Sequence, residues 1–127
     1  MKRKLKAFTL VELVIVIAII LILVSIALPK FKKSNLNAQL AAHNLNVKEI
    51  KNASILYLME HEDEKVSSIS IDELSDYFEG KPPKPAKAYT NDDFTISVGD
   101  NQEITVKPGL LKLEGDKLVP DDSKWFI

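Results

Sequence analysis

Polar and apolar residues are distributed unevenly along the chain. Basic residues dominate the first seven positions, and a continuous apolar run follows from Leu13 to Leu28, with Ser25 as its one polar residue. Counted from Phe8, the apolar segment has 21 residues, and a helix of this length spans about 31 Å. The hydrocarbon core of a bilayer is about 30 Å thick. Because only a helix satisfies the backbone groups of such a run in lipid, we predict a transmembrane helix over residues 8–28.

Glu12 places one carboxylate inside this apolar segment. A charged side chain within a membrane helix costs about 2.5–3.5 kcal/mol on insertion scales. Such a residue is a functional candidate by default, so we interpret Glu12 as a site that meets a cation. The alternative is that the carboxylate lies solvated at the level of the lipid headgroups.

The residues that flank the span favour an anchor over a cleaved secretory signal. The leader contains four basic residues, Lys2, Arg3, Lys4 and Lys6. However, the apolar run exceeds the usual core of a signal peptide, and no Ala-x-Ala-like site follows it. Three lysines follow instead, Lys30, Lys32 and Lys33, and they can contact lipid headgroups or acidic groups of a neighbouring molecule. The positive-inside rule favours a cytoplasmic N-terminus, although lysines flank both ends.

Beyond Pro29 the apolar positions recur at three-, four- and seven-residue steps, the period of an amphipathic helix. These positions are Leu36, Leu40, Val47, Ile50, Ser54, Tyr57 and Leu58. Pro29 lacks an N–H and is expected to kink the helix without ending it. We therefore predict one long helix from Phe8 to about Glu60, and we assign residues 30–62 to its amphipathic part.

Residues 63–127 are expected to form a small globular head. Ser70 and Glu73 have the spacing of a capping box at the start of a short helix over residues 71–78. Gly80 can end that helix in the left-handed conformation.

A proline-rich connector over residues 81–85 leads into a segment whose hydrophobic period is two, the pattern of strands. We predict four short antiparallel strands, at about 94–98, 104–106, 111–113 and 118–119. Gly115 is expected to open a two-residue hairpin loop between the last two. The strands would lay one apolar face against the long helix in an α+β fold. We expect the last three residues to cap that core, namely Trp125, Phe126 and Ile127.

The sequence contains little that predicts catalysis. His43 and His61 are 18 residues apart on the same helix and cannot share a metal ion, and the chain has no cysteine. An oxygen-rich calcium site is conceivable, but the acidic residues of the turns lack the spacing of a calcium loop; they are Asp92, Asp93, Asp100, Glu103, Asp121 and Asp122. We therefore predict no enzyme activity, no cofactor and no metal.

The N-terminal residues resemble those of type IV pilins and related pseudopilins. The resemblance covers about 30 residues: the basic leader, the Ala7-Phe8 junction, Thr9-Leu10-Val11-Glu12 and the apolar helix. It implies that residues 1–7 are a leader peptide, which a prepilin peptidase removes by cutting between Ala7 and Phe8. The new amino terminus of Phe8 is then methylated. Gly is commoner than Ala before the cut, but competence-type pilins of Gram-positive bacteria have Ala there. Many such pilins also have a helix-kinking proline where this chain has Pro29.

The resemblance also implies an assembly mechanism. Glu12 would pair with the Phe8 α-amine of a neighbouring subunit inside a bundle of apolar helices. Breaking a buried ion pair typically costs about 3–5 kcal/mol, so the pair would select the register at which a subunit joins. The implied product is a structural homopolymer. Its other partners would be the prepilin peptidase and a platform membrane protein with its assembly ATPase. The chain would be a single-pass membrane protein first and part of a cell-surface filament afterwards.

Two other functions fit the same residues. One is a pseudopilin of a type II secretion or competence DNA-uptake machine. The other is a single-span anchor whose head binds a ligand without forming a polymer. Removal of the leader would leave 13 basic against 18 acidic residues, and this acidic balance argues against direct nucleic-acid binding. The lack of cysteine fits pilins of Gram-positive bacteria, many of which have no disulfide. Adhesion, motility and DNA uptake are equally compatible with the sequence.

Overall fold

The long helix is the main element of the fold. The structure is a computed structural model that describes residues 7–122, and the chain divides into two compact units, Met1–Ser34 and Asn35–Ile127. Helix α1 runs from Leu10 to Glu60 and contributes to both units. It begins two residues later than predicted and contains Pro29 without ending there, as the sequence indicated.

The second unit adds five strands to α1. Their bounds are β1 Ser68–Ile69, β2 Thr95–Val98, β3 Ile104–Lys107, β4 Leu111–Glu114 and β5 Lys117–Pro120. Strands β1, β2 and β3 form one antiparallel sheet in that order, and β4 pairs with β5 in a separate antiparallel hairpin. The α+β fold, with a long apolar N-terminal helix packed against a small antiparallel sheet, is confirmed.

The grouping of the strands differs from the prediction of four strands with one common face. The structure adds β1, which has only two residues and is too short to show a period in the sequence. Pro108 and Gly109 separate β3 from β4, so the second hairpin forms its own sheet. The predicted turn of that hairpin is confirmed, because Glu114 pairs with Lys117 and Gly115 has a positive φ of 62°.

Two apolar clusters hold α1 to the strands. In the first cluster, residues of α1 pack on the three-stranded sheet and on the short helix that follows β1; its buried members are Val47, Ile50, Ala53, Ile69, Leu74, Phe94, Ile96 and Val106. In the second, α1 meets the β4–β5 hairpin through Leu36, Leu40, Ala86, Leu111, Leu113 and Leu118. Burial removes these side chains from water, which is the main favourable term in folding. The apolar face that the sequence predicts for the amphipathic part of α1 is the side of the helix that packs against these clusters.

The short helix after β1 is a 3₁₀ helix over Ile71–Tyr77, so it ends one residue earlier than predicted. Its capping box is present: the Ser70 hydroxyl accepts from the Glu73 N–H at 3.4 Å, and the Glu73 carboxylate accepts from the Ser70 N–H at 2.9 Å. Phe78 is the C-cap residue, whereas Gly80 has a positive φ of 93° two residues further on. The predicted cap made by Trp125, Phe126 and Ile127 lies outside the described residues.

Candidate processing and assembly site

Thr9 fixes the start of α1. Its Oγ1 accepts a hydrogen bond from the backbone N–H of Glu12 at 3.1 Å, and its carbonyl accepts one from the N–H of Leu13 at 3.2 Å. Thr9 is therefore the N-cap residue, and it satisfies an amide of the first turn that has no partner within the helix. Sequence reasoning missed this role. The signal was present, because Thr9 and Glu12 are spaced like Ser70 and Glu73, the pair that predicts the later capping box.

Ala7 and Phe8 precede this cap and lie outside the helix. Both side chains are exposed, and Phe8 has 89% of its surface accessible. The peptide bond that joins them is therefore in non-helical backbone. A peptidase can reach this bond without first unwinding a helical turn.

Glu12 lies in the first turn of α1, and its side chain is exposed. Within residues 7–122 its carboxylate has no hydrogen-bond or ion-pair partner. A carboxylate in this position interacts favourably with the positive end of the helix dipole, by about 0.3–1 kcal/mol. This gain is smaller than the cost of about 2.5–3.5 kcal/mol for a charge in a membrane helix. The helix dipole alone therefore does not offset the cost of a charge at that position in a membrane helix.

The side chains of the apolar part of α1 are exposed on every side of the helix. From Leu10 to Leu28 all large apolar side chains are exposed, with exposed fractions between 41% at Val24 and 77% at Leu10. This part of α1 is long and apolar enough to cross a membrane. Ser25 donates its hydroxyl hydrogen to the Ile22 carbonyl at 2.7 Å. The polar side chain of the run is therefore satisfied inside its own helix, as an apolar environment requires.

The structure brings three of the four sequence-predicted residues together. Ala7, Phe8 and Glu12 lie within one turn of the helix start, on either side of the Thr9 cap. Pro29 lies 17 residues beyond Glu12, inside α1, and does not belong to this group. Because Pro29 has no N–H, the helical hydrogen bond to the carbonyl four residues earlier is missing. The kink itself stays a prediction.

Comparison with known proteins matches the segment that contains this group. Residues 2–28 match the family model described as the prokaryotic N-terminal methylation motif. The motif is the signature of prepilins of the type IV pilin and pseudopilin class, and this chain carries it. The match ends at the last residue of the apolar run and includes no part of the second unit. Searches of curated proteins and of solved structures gave no match.

The His, Asp and Glu side chains described in the second unit do not form a metal-binding group. Within residues 7–122, no group of three or more His, Asp or Glu side chains could hold a metal ion. The buried histidine, His43, is engaged by backbone groups on both ring nitrogens. The chemistry of the described residues is therefore concentrated at the start of α1.

Proposed function

We propose that this prepilin-type chain is the structural subunit of a type IV pilus or a related filament. A prepilin peptidase cuts between Ala7 and Phe8, the new terminus of Phe8 is methylated, and the subunits polymerise through the apolar part of α1. The match of residues 2–28 to the methylation motif carries this proposal. The non-helical, exposed Ala7–Phe8 junction supports the cleavage step. Before assembly the chain is held in the membrane with its N-terminus in the cytoplasm.

In the proposed filament, the Glu12 carboxylate pairs with the Phe8 α-amine of a neighbouring subunit. Two features support this pairing: the carboxylate has no partner within residues 7–122, and processing creates a cation at the same end of the helix. Apolar packing of the exposed side chains supplies most of the attraction, while the ion pair selects the register. A subunit that joins at the wrong height leaves both charges without a partner, which is strongly unfavourable.

Processing is tested by mass spectrometry of the chain purified from cells in which it occurs naturally. We expect a mature chain that begins at an N-methylated Phe8. A chain that retains Met1 would contradict the proposal and support the alternative of a single-span anchor without a polymer. A pseudopilin of a secretion or DNA-uptake machine undergoes the same processing, so the second arm is immunogold labelling of the cells. Labelled surface fibres support the pilus.

The pairing is tested by Glu12→Gln, which keeps the size of the side chain and removes its charge. The Phe8 amine is then buried without a partner, at a cost of about 3–5 kcal/mol. Since about 1.4 kcal/mol corresponds to a factor of ten, subunit addition should weaken by roughly two to four powers of ten. Filaments should be lost, while membrane insertion and leader removal persist.

Ser25→Ala is the matched control for this variant. It also removes a polar group from the apolar run, but the Ser25 hydroxyl is already satisfied by the Ile22 carbonyl. Filament numbers should stay at the wild-type level. Wild-type numbers of filaments from Glu12→Gln would remove the assembly role from Glu12, even if processing at Phe8 is found.

A further inference from the structure

A row of polar side chains on α1 holds the segment 84–88, which leads into a turn at residues 87–89. Asn46 donates from its side-chain amide to the Lys84 carbonyl at 3.2 Å. His43 Nδ1 accepts from the Ala86 N–H at 3.0 Å, and the Gln39 side-chain carbonyl accepts from the Ala88 N–H at 2.9 Å. The helix positions are separated by three and four residues, and their partners by two. One face of α1 thus binds every second residue of the segment 84–88.

His43 is the centre of this row and is almost fully buried, with 1% of its surface exposed. Its Nε2 lies 2.8 Å from the Gly109 carbonyl oxygen, and its ring centre lies 5.3 Å from that of Phe94. Because a carbonyl oxygen only accepts and an amide N–H only donates, the contacts define one protonation state. Nε2 carries the hydrogen, Nδ1 is bare, and the ring is neutral.

Protonation is incompatible with these contacts. An imidazolium carries hydrogens on both ring nitrogens, so Nδ1–H would point at the N–H of Ala86 and their hydrogen bond would be lost. Burial lowers the pKa of His43 below its usual 6.5, and the Gly109 carbonyl offsets part of that effect. Both observations mean that the closed arrangement selects the neutral ring.

Among the described residues, no charged group is a hydrogen-bond partner of the His43 ring. Apart from His43 itself, helix α1 has no acidic or basic residue between Lys33 and Lys48. The charged residues beside the other contacts of His43 all have exposed side chains, and none is a hydrogen-bond partner of its ring; they are Lys84, Lys87, Asp93 and Lys107. None of these four charged groups is therefore in place to stabilise an imidazolium in the closed arrangement.

We propose that His43 is an acid-sensitive latch: protonation of its Nδ1 releases the segment 84–88 from α1. The latch is closed at pH values above about 6.5, the usual pKa of an exposed histidine. As the pH falls below this value, the released state takes up a proton more readily than the closed state. The equilibrium therefore shifts toward release by up to tenfold per pH unit until the pKa of the closed state is reached.

Release is local in this proposal. Gln39 and Asn46 do not titrate either, but each makes a single solvent-exposed bond to the segment 84–88. A second attachment of α1 makes two part-buried bonds and does not titrate. Asn44, the next residue of α1, accepts from the Leu111 N–H at 2.8 Å and donates to the Leu111 carbonyl at 3.0 Å. A side-chain amide keeps its donor and acceptor at any pH between 4 and 8. The β4–β5 hairpin should therefore stay attached to α1 while the segment 84–88 is released.

The test uses the full chain in detergent micelles, observed by nitrogen-15 NMR and amide hydrogen exchange between pH 4.5 and 7.5. The chain has two histidines, so His61→Gln leaves His43 as the single ring signal. At pH 7.5 we expect Nδ1 without a hydrogen and Nε2 with one. Below pH 6.5 the protection factors of Ala86 and Ala88 should fall by up to tenfold per pH unit. The protection factor of Leu111 should not change.

Three results would overturn the proposal. The first is a hydrogen on Nδ1 at pH 7.5, and the second is a constant protection factor of Ala86 across the whole range. The third is an equal fall at Ala86 and Leu111, because it would mean general unfolding instead of a latch. His43→Gln provides a further arm: it removes the titratable ring, so the pH dependence at Ala88 should disappear. If that variant does not fold, the measurements on the chain that retains His43 still decide the question.

Discussion

Ile50→Ala is the sharpest test of how α1 supports the second unit. Ile50 is fully buried in the cluster between α1 and the three-stranded sheet, with 0% of its surface exposed. The change removes three carbon groups, each worth about 0.8 kcal/mol of transfer free energy. The cavity left in the cluster adds to this loss, and such changes typically cost about 2–5 kcal/mol. We expect the free energy of unfolding of the second unit to fall by about 3 kcal/mol.

The assay is urea unfolding of the full chain in detergent micelles, followed through the exchange of amides in β2 and β3. Ile55→Ala is the matched control, since it makes the same substitution in the same helix at a side chain that is 48% exposed. Both variants change the helix propensity of α1 equally, so their difference reports burial alone. We expect a loss below about 1 kcal/mol for Ile55→Ala. Equal losses for the two variants would refute the packing described for α1.

Two further predictions concern polar contacts of the second unit. Asn44→Ala leaves the N–H and carbonyl of Leu111 without their side-chain partner, and unfolding in urea should show a loss of about 1–3 kcal/mol; no loss would mean that water replaces Asn44. A hydrogen bond to the Glu60 carboxylate raises the pKa of Tyr77 to about 12, so ultraviolet titration of Glu60→Gln should show this pKa shifting toward 10. Because the folded state holds the Tyr77 proton more tightly than the unfolded state, stability should fall as the pH rises from 10 to 12, and Tyr77→Phe should remove this dependence.

The parts of the fold that the sequence predicts well are those whose signals are local. The apolar run from Leu13 to Leu28 predicts a membrane-spanning helix, because it is long enough to cross a bilayer and only a helix satisfies its backbone hydrogen bonds in lipid. The box formed by Ser70 and Glu73 needs only four consecutive residues. Gly115 marks its hairpin because the loop requires a positive φ.

Other features depend on partners that are distant in the sequence. His43 contacts Ala86 and Gly109, which are 43 and 66 residues away, and no period in the chain links them. The available signal was indirect: an uncharged stretch of α1 rich in Asn, Gln and His. Solvent-exposed helix faces usually carry lysine and glutamate. A face that carries Asn, Gln and His instead indicates side chains that bind backbone groups.

The residues of the candidate site also differ in how far the sequence alone predicts them. Glu12 can be identified from the sequence because a carboxylate in an apolar run is energetically costly. Phe8 is identified by the resemblance of the N-terminal residues to prepilins. The role of Thr9 was not predicted, although its spacing to Glu12 is that of a capping box. Within residues 7–122 the Glu12 carboxylate has no partner, so its pairing with a neighbouring Phe8 stays a proposal that the Glu12→Gln experiment tests.

The side chains that tie α1 to the segment 84–88 and to Leu111 have a consequence for how the protein matures. These ties form as soon as the chain folds, and none involves a covalent bond between side chains. Because the chain has no cysteine, the second unit needs no oxidant and no thiol-exchange enzyme to reach its folded state. It should reach the same state in reducing and in oxidising surroundings, and adding a thiol reagent to the medium should leave it intact.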